Sequence, residues 1–364
     1  MSPVKSGGMG DSGSSRRWSR PGAGVAAGLV LAALAAGPGG AVTNGQQAGS
    51  FLLIAAGARA TGMGEAFTGV ADDVSAMSWN AAGLAHLRGF EIALSYTDWF
   101  ADTSFSSVGV AAPIAADHIL GASFNYFHVP RILNVPEDVE PGVDLTNFAA
   151  GPYYAWRVSD RWSLGGGLKF LSTGVEQNGR PRSAASAPLL DLGVQYTNEE
   201  PAISGGVALQ NMGSRLRFRD ANSPSPFWAR GGVSWKAYED EWLSVRFAAD
   251  ASQPVETGYR LVIPSGGIGS IFSMSLKHPV QNRYNYGIGT EWWLAGILAL
   301  RAGWTVRVGS DIDSPSAGAG LRFSVDPFVY SLDYSYSYWS DLSTNVSRVS
   351  FSISLRPRPR ETAE

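Results

Sequence analysis

The stretch "YNYGIGTEWW" at residues 284–293 alternates between two kinds of side chain with a period of two. One face would hold Tyr284, Tyr286, Ile288 and Trp292, and the other would hold Asn285, Gly287, Gly289 and Glu291. A period of two predicts a β-strand. Because one face is aromatic and branched while the other is small or polar, we expect apolar surroundings on one side and a crowded polar interior on the other.

The same pattern recurs along the chain after residue 88. Roughly fourteen segments show it, each about nine to thirteen residues long, the length that a tilted strand needs to cross a bilayer. Tight turns such as 159–161 alternate with longer connections, which we expect at 129–145, 172–187, 212–226, 252–283, 308–316 and 339–345. This alternation predicts an all-β fold, a transmembrane antiparallel β-barrel of about 14 strands. A soluble β-sandwich or propeller is the alternative, but the polar face is poor in Lys and Glu and no repeat of propeller length stands out.

The overall composition fits a barrel better than other classes. Only 16% of residues are charged, 11% are aromatic and 44 are glycine. The mean hydropathy of −0.03 is too low for a helical membrane protein of this size. A net charge of −3 offers no basic field, so we expect no nucleic-acid partner. The absence of cysteine excludes disulfides and thiolate metal sites.

The N-terminus carries the features of an export signal. Arg16, Arg17 and Arg20 precede an apolar run at 24–36, which small residues follow. We therefore predict a signal peptide at 1–41 that is removed after Ala41, with a site near Ala35 as the second choice and an uncleaved anchor as the alternative. An exported barrel would lie in the bacterial cell outer membrane as a multi-pass protein surrounded by outer-membrane lipid.

Isolated charges of both signs occur on the small, polar face of the predicted strands. They are Glu91, Lys169, Asp191, Arg246, Glu291, Arg301, Arg322, Asp333 and Arg348. We interpret them as lumenal charges that neutralise one another across the barrel wall rather than as acid–base pairs.

No catalytic constellation is apparent in the sequence. The four histidines fall on different segments without a second ligand at metal-binding spacing, and no serine has the context of a nucleophile. We predict no enzyme activity, no metal and no cofactor.

The stretch "GARATGMGEAFTGVADDVSAMSWNAAGL" at 57–84 superficially suggests a phosphate loop followed by a metal-binding acidic pair. Gly62-Met63-Gly64 follows no hydrophobic strand and lacks the Lys-Ser/Thr of a nucleotide loop, and Asp72-Asp73 has no nearby histidine. We expect instead a turn over Val74–Trp79, capped by Asp72 or Asp73 and ended by Asn80.

This stretch resembles the N-terminal signature of the PorV/PorQ proteins and, more distantly, of FadL-type outer-membrane transport proteins. The residues that carry the match and form the predicted hatch motif include Arg59, Gly62, Gly64, Asp72, Asp73, Trp79, Asn80 and Gly83. Further matches are "SYTDWFAD" at 95–102 and "ALQNMG" at 208–213, while Ala81 stands where the family has proline. The resemblance implies a hatch at 42–88 folded into the lumen of a barrel at 89–356, and we expect a disordered tail at 357–364.

The resemblance also implies a function. PorV/PorQ-like barrels are non-enzymatic accessories of protein secretion or surface attachment in a type IX-like system, and their partners are secretion machinery or its cargo. The alternative is FadL-like passage of hydrophobic small molecules, with such a molecule or detergent in the lumen. The apolar loop at 256–282 is compatible with either function. Its candidate partner-binding residues are Leu261, Ile263, Ile268, Ile271, Phe272 and Met274.

Overall fold

The chain folds as a closed antiparallel β-barrel of fourteen strands. The structure, a computed structural model, describes residues 49–132, 143–177, 180–200, 202–218, 222–255, 284–308, 312–340 and 344–355. The predicted signal peptide at 1–41, the candidate loop at 256–282 and the tail at 357–364 lie outside the described residues. The predicted fold class is confirmed.

The barrel strands follow one another around the wall in chain order. They are β1 (Glu91–Asp98), β2 (Ser104–Ala115), β3 (His118–Ile132), β4 (Val143–Arg157), β5 (Trp162–Gln177), β6 (Arg180–Asn198), β7 (Ile203–Gly213), β10 (Trp228–Glu239), β11 (Leu243–Pro254), β12 (Tyr284–Leu294), β13 (Leu298–Val308), β14 (Ile312–Val325), β15 (Phe328–Trp339) and β16 (Thr344–Leu355). Two short strands, β8 (Leu216–Arg217) and β9 (Asn222–Ser223), form a separate sheet between β7 and β10. Pairing of β1 with β16 closes the sheet, with Leu94 opposite Phe351, so the barrel has no free edge.

The outer face of the wall is a belt of exposed apolar side chains. Ile288 and Leu168 are 61% and 60% exposed, whereas the inward-facing Glu291 is 1% exposed. Other members of the belt are Leu94, Phe124, Leu192, Leu300, Phe323 and Leu332. Soluble monomers rarely expose a continuous apolar surface of this extent, so the belt has the character of a lipid-facing surface.

Two of the predicted long connections are wrong. β5 runs to Gln177 and β6 begins at Arg180, and β13 runs to Val308 while β14 begins at Ile312. The strands therefore continue through most of 172–187 and 308–316. Small and polar residues in these stretches, such as Ser172 opposite Ser186, give no alternating hydrophobic signal but pair through their backbones.

Residues 49–87 fold inside the barrel and form the most deeply buried part of the molecule; we call this segment the hatch. It contains one α-helical turn, α1 (Ala58–Gly62), and three 3-10 helices (Ser50–Leu53, Val74–Ser78, Ala81–His86). Its largest apolar side chains, including Met63, Phe67, Trp79 and Leu84, are completely buried. Among the described residues no helix is long and apolar enough to cross a membrane.

Candidate functional site

The hatch backbone lies directly against the backbone of the barrel wall. Gly64 has a φ of +62°, and a Cβ added there would lie 2.5 Å from the carbonyl oxygen of Ile288. From the wall side, a Cβ on Gly289 would overlap the carbonyl oxygen of Met63, and one on Gly303 would overlap the backbone nitrogen of Gly64. Glycine is therefore required on both surfaces of this contact.

The other glycines of the hatch motif also lie at close contacts. A Cβ on Gly62 would lie 3.2 Å from the Cα of Gly318 in β14. A Cβ on Gly83 would overlap the carbonyl oxygen of Ala71, so this glycine allows two parts of the hatch to pack together.

Arg59 places a guanidinium between the hatch and the wall. Its Nε and Nη2 donate to the two carboxylate oxygens of Glu291 at 2.8 and 2.9 Å. Its Nη1 donates to Asp72 at 2.5 Å and to Asp73 at 2.8 Å. A bidentate pair of this kind fixes the orientation of both partners.

These ion pairs continue into the wall. Arg246 on β11 lies 3.0 Å from Asp72, and Arg301 on β13 lies 2.8 Å from Glu291. Arg301 also lies 2.7 Å from Asp333 on β15. We call this set the Arg59 cluster; its members are Arg59, Asp72, Asp73, Arg246, Glu291, Arg301 and Asp333.

The charges on the hatch side of this cluster stabilise one another. Burial alone would raise the pKa of Asp72, but Arg59 and Arg246 outweigh it and hold that pKa well below its usual range. Burial alone would lower the pKa of Arg59, and Asp72 together with Glu291 raises it instead. Both groups therefore stay charged at neutral pH. Removing Arg59 would leave Asp72 paired with Arg246 and Glu291 paired with Arg301, so the cluster would be weakened rather than left without cations.

Two polar hatch residues start 3-10 helices. Asp73 rather than Asp72 caps Val74–Ser78, because its Oδ1 accepts from the backbone N–H of Ser75 at 2.9 Å. The prediction that Asn80 ends this turn is wrong. Asn80 has extended backbone angles and caps the next helix, Ala81–His86, through a 3.2 Å bond from the N–H of Ala82.

Trp79 lies at the centre of the hatch. Its indole N–H donates to the carbonyl of Ala56 at 3.0 Å, and its ring meets Phe67 edge-on at 6.0 Å. The guanidinium of Arg230 on β10 lies 4.8 Å from the ring centroid, so the wall also contacts this aromatic core.

Wall side chains that the sequence analysis did not single out as site residues also hold the hatch. Asp250 accepts from the backbone N–H groups of Phe67 and Thr68 at 3.1 and 2.7 Å. Gln195 donates to the carbonyls of Gly69 and Ala71, both at 3.2 Å. The sequence indicates only that both side chains lie on the small, polar face of a predicted strand. It cannot indicate the contact itself, because a bond to the backbone of another segment requires no recognisable motif.

The remaining predicted lumenal charges lie outside the Arg59 cluster. Lys169 on β5 pairs with Asp191 on β6 at 2.8 Å. Glu91 accepts from the N–H of Val74 at 3.2 Å, and Arg348 donates to the carbonyl of Ala55 at 3.3 Å. Arg322 stacks on Trp293 at 4.1 Å.

The hatch separates two cavities. One of about 900 Å³ lies on the side of the tight turns and is lined by charges that include Arg59, Asp72, Arg88, Arg246, Glu291 and Arg322; we call it the charged vestibule. The other, of about 610 Å³, lies at the opposite rim and is lined by Phe51, Trp99, Phe100, Phe127, Trp228 and Trp339; we call it the aromatic cavity. Within the described part of the chain, no three His, Asp or Glu residues are grouped to hold a metal ion.

Three solved structures share the barrel fold. The toluene transporter TbuX of Ralstonia pickettii is 14% identical, has a TM-score of 0.51, and the match covers 82% of this chain and 97% of that one. The CymD monoaromatic hydrocarbon channel is 13% identical with a TM-score of 0.55, covering 83% and 97%. A Pseudomonas aeruginosa FadL homologue is 13% identical with a TM-score of 0.53, covering 84% and 99%. At these identities the comparison establishes the fold alone, which is FadL-like.

Sequence comparison gives the family. No curated protein matches the chain. The solved structures support the resemblance to FadL-type proteins at the level of fold. The PorV/PorQ assignment stays a prediction from the signature. Residues 31–356 match the family described as "Uncharacterised protein family (UPF0164)", which spans the hatch and the whole barrel. The chain belongs to this family.

Proposed function

We propose that the protein is a non-enzymatic outer-membrane barrel that passes hydrophobic small molecules, and that the hatch is the part that moves. The fold is shared with barrels named as a toluene transporter and a monoaromatic hydrocarbon channel. The observation that carries the proposal is the aromatic cavity, which adjoins the hatch on the side opposite the charged vestibule.

The aromatic cavity has the size of a small-molecule site, and its aromatic side chains share the lining with the Glu65–Arg307 ion pair and Asn147. Its volume of about 610 Å³ falls in the range of ligand pockets. Phe51 and Phe127 stack at 6.2 Å, and Trp99 meets Trp339 edge-on at 5.2 Å. Flat aromatic surfaces of this kind favour planar or aliphatic ligands, because contact with the rings removes the apolar surface of the ligand from water.

Passage beyond this cavity requires the hatch to rearrange. Phe67 and Trp79 are completely buried where the hatch fills the lumen. Outer-membrane barrels place tight turns in the periplasm and longer loops outside. By that rule the aromatic cavity faces the exterior and the charged vestibule faces the periplasm.

The domain division follows from the same proposal. We propose a signal peptide at 1–41, a hatch segment at 42–88, a barrel at 89–356 and a C-terminal tail at 357–364. Within this division, the described hatch residues contact the wall glycines. Three of them, Arg59, Asp72 and Asp73, form the hatch side of the Arg59 cluster.

Ligand binding to the purified barrel tests the proposal. Replacing Trp99 with alanine removes an aromatic wall of the cavity, and we expect about tenfold weaker binding of toluene or a naphthalene probe, or about 1.4 kcal/mol. Trp156→Ala is the matched control, because Trp156 is an exposed aromatic of the outer belt. Equal binding by the wild type and both variants would remove the aromatic cavity from the proposal.

An accessory role in protein secretion is the second candidate, and it rests on the PorV/PorQ-like signature at 57–84. The solved barrels compared above are two hydrocarbon transport proteins and a FadL homologue, and they do not add to it. Trimming residues 258–280 tests it, because a long loop can be shortened at small entropic cost. The secretion role predicts that the trimmed barrel assembles but loses a copurifying protein partner; an unchanged set of partners would exclude this loop.

A further inference from the structure

A narrow gap separates the hatch from the wall at the seam where β1 meets β16. Its volume is about 70 Å³, enough for a few water molecules. The lining is rich in hydroxyl groups and includes Ser75, Ser78, Ser95, Ser107, Ser350 and Ser352. We call it the serine gap.

Elsewhere the wall carries glycines such as Gly165, Gly193 and Gly289, on which an added Cβ would overlap the hatch. At the seam the wall carries serines instead, and Ser95 and Ser352 are partly exposed although they face the lumen. The hatch is still bonded to the wall at this seam, where Ser350 Oγ accepts from the backbone N–H of Ala58 at 2.8 Å, and the serine gap lies beside that bond.

The gap lies between the two cavities. Arg59, Asp73, Glu91, Asp333 and Ser352 line both the gap and the charged vestibule, so these two spaces adjoin. At the other end, Ala56 lines the gap while the preceding residue, Ala55, lines the aromatic cavity. One short stretch of hatch backbone separates the gap from the aromatic cavity.

Arg348 holds that stretch in place. It is 1% exposed, and its Nε donates to the carbonyl oxygen of Ala55 at 3.3 Å. Its Nη1 lies 3.4 Å from Ser337 Oγ, and its guanidinium lies 5.6 Å from the Trp99 ring, which lines the aromatic cavity. None of the ion pairs between described residues includes Arg348, so a buried cation is held by weak, neutral contacts.

We propose that the serine gap is a second, polar route past the hatch, open to water and small ions, and that Arg348 closes it. This route is separate from the passage of hydrophobic molecules, because serine hydroxyls and the carboxylates of Asp73, Glu91 and Asp333 stand among the apolar groups of its lining, and its volume suits water. When Arg348 releases Ala55, the vestibule, the gap and the aromatic cavity become continuous along β1 and β16.

Conductance of the purified barrel in planar bilayers tests the route. We expect low conductance for the wild type and a several-fold rise for Arg348→Ala. Adding Ser95→Leu to that variant fills the gap and should return conductance to the wild-type level. Arg230→Ala is the matched control, since Arg230 is also a buried arginine, bonded to neutral Gln210 in a tightly packed sector. No rise for a folded Arg348→Ala barrel, an equal rise for Arg230→Ala, or a rise that Ser95→Leu leaves unchanged would overturn the proposal.

Thiol labelling tests the gap without altering Arg348. The chain contains no cysteine, so each introduced thiol reports alone. We expect Ag⁺, a thiol-reactive cation about the size of a water molecule, to label Ser352→Cys and Ser95→Cys in the closed barrel. Ser335→Cys should stay unlabelled, because Ser335 is completely buried against Thr61 of the hatch at 2.7 Å. Protection of Ser95→Cys equal to that of Ser335→Cys would show that no gap exists.

Discussion

At the scale of single residues, Arg59 joins the hatch to the wall. Arg246, Glu291 and Arg301 are direct neighbours across three strands, and they form a row of alternating charge that Arg59 meets from the hatch. Sequence alternation identified these wall residues as inward-facing charges. It gave no information on pairing, because the partners depend on the stagger of the strands around a closed barrel.

Removing Arg59 should release the hatch. Arg59→Ala removes the cation that Asp72, Asp73 and Glu291 share, while Arg246 still pairs with Asp72 and Arg301 with Glu291. We therefore expect a cost below that of a buried charge that loses its partner, which is about 3–5 kcal/mol. Limited proteolysis within the hatch measures the effect. Lys236→Ala is the control, since Lys236 and Glu239 form an exposed pair worth less than about 1 kcal/mol. Hatch protection that is the same in both variants would contradict the role of Arg59.

The close contact between the backbones of the hatch and the wall predicts that substitution of a wall glycine also destabilises the hatch. Gly289→Ala places a methyl group on the carbonyl of Met63, so the hatch or β12 must shift. We expect a lower unfolding temperature on heated gels. Gly174→Ala should be nearly neutral, because its Cβ would lie at an ordinary 3.4 Å from Ala184. Equal thermal shifts would show that the hatch tolerates displacement at β12.

At the scale of elements, alternation predicts strands well and their ends poorly. The faces of β12 and β16 follow from their alternating residues, since the lipid-facing and lumenal sides differ in chemistry. The extension of β5 and β6 through 172–187 did not follow, because alanines and serines that pair through the backbone carry no contrast between faces. The short helices of the hatch depend on single caps such as Asp73 and Asn80, which local sequence predicts only in part.

The last strand tests the facing directly. Phe351 lies opposite Leu94 and Leu332, both exposed members of the belt. Phe351→Arg should therefore reduce the free energy of folding into lipid vesicles by about 2–4 kcal/mol. Ser352→Arg should cost less, because Ser352 lines the charged vestibule. A reversed order of the two variants would show that the register of β16 is wrong.

At the scale of the whole molecule, the barrel is a wall packed around an inserted segment, the hatch. Wall glycines, Asp250 and the Arg59 cluster all contact the hatch, so the lumenal surface is shaped by that insert rather than by an open channel. Composition and alternation predicted the barrel, and the resemblance implied the hatch. The two cavities could not be predicted, because they arise where hatch and wall fail to touch.

A cysteine pair that locks the hatch tests the central claim most directly. Thr61 in the hatch and Ser335 in the wall have side-chain oxygens 2.7 Å apart, and the chain has no other thiol to interfere. Ser172 and Ser186, which lie opposite one another on β5 and β6, provide a control pair within the wall. We predict that oxidised Thr61→Cys/Ser335→Cys stops uptake of toluene into proteoliposomes and that reduction restores it, while the oxidised control pair transports normally. Undiminished uptake through the locked barrel would contradict the account.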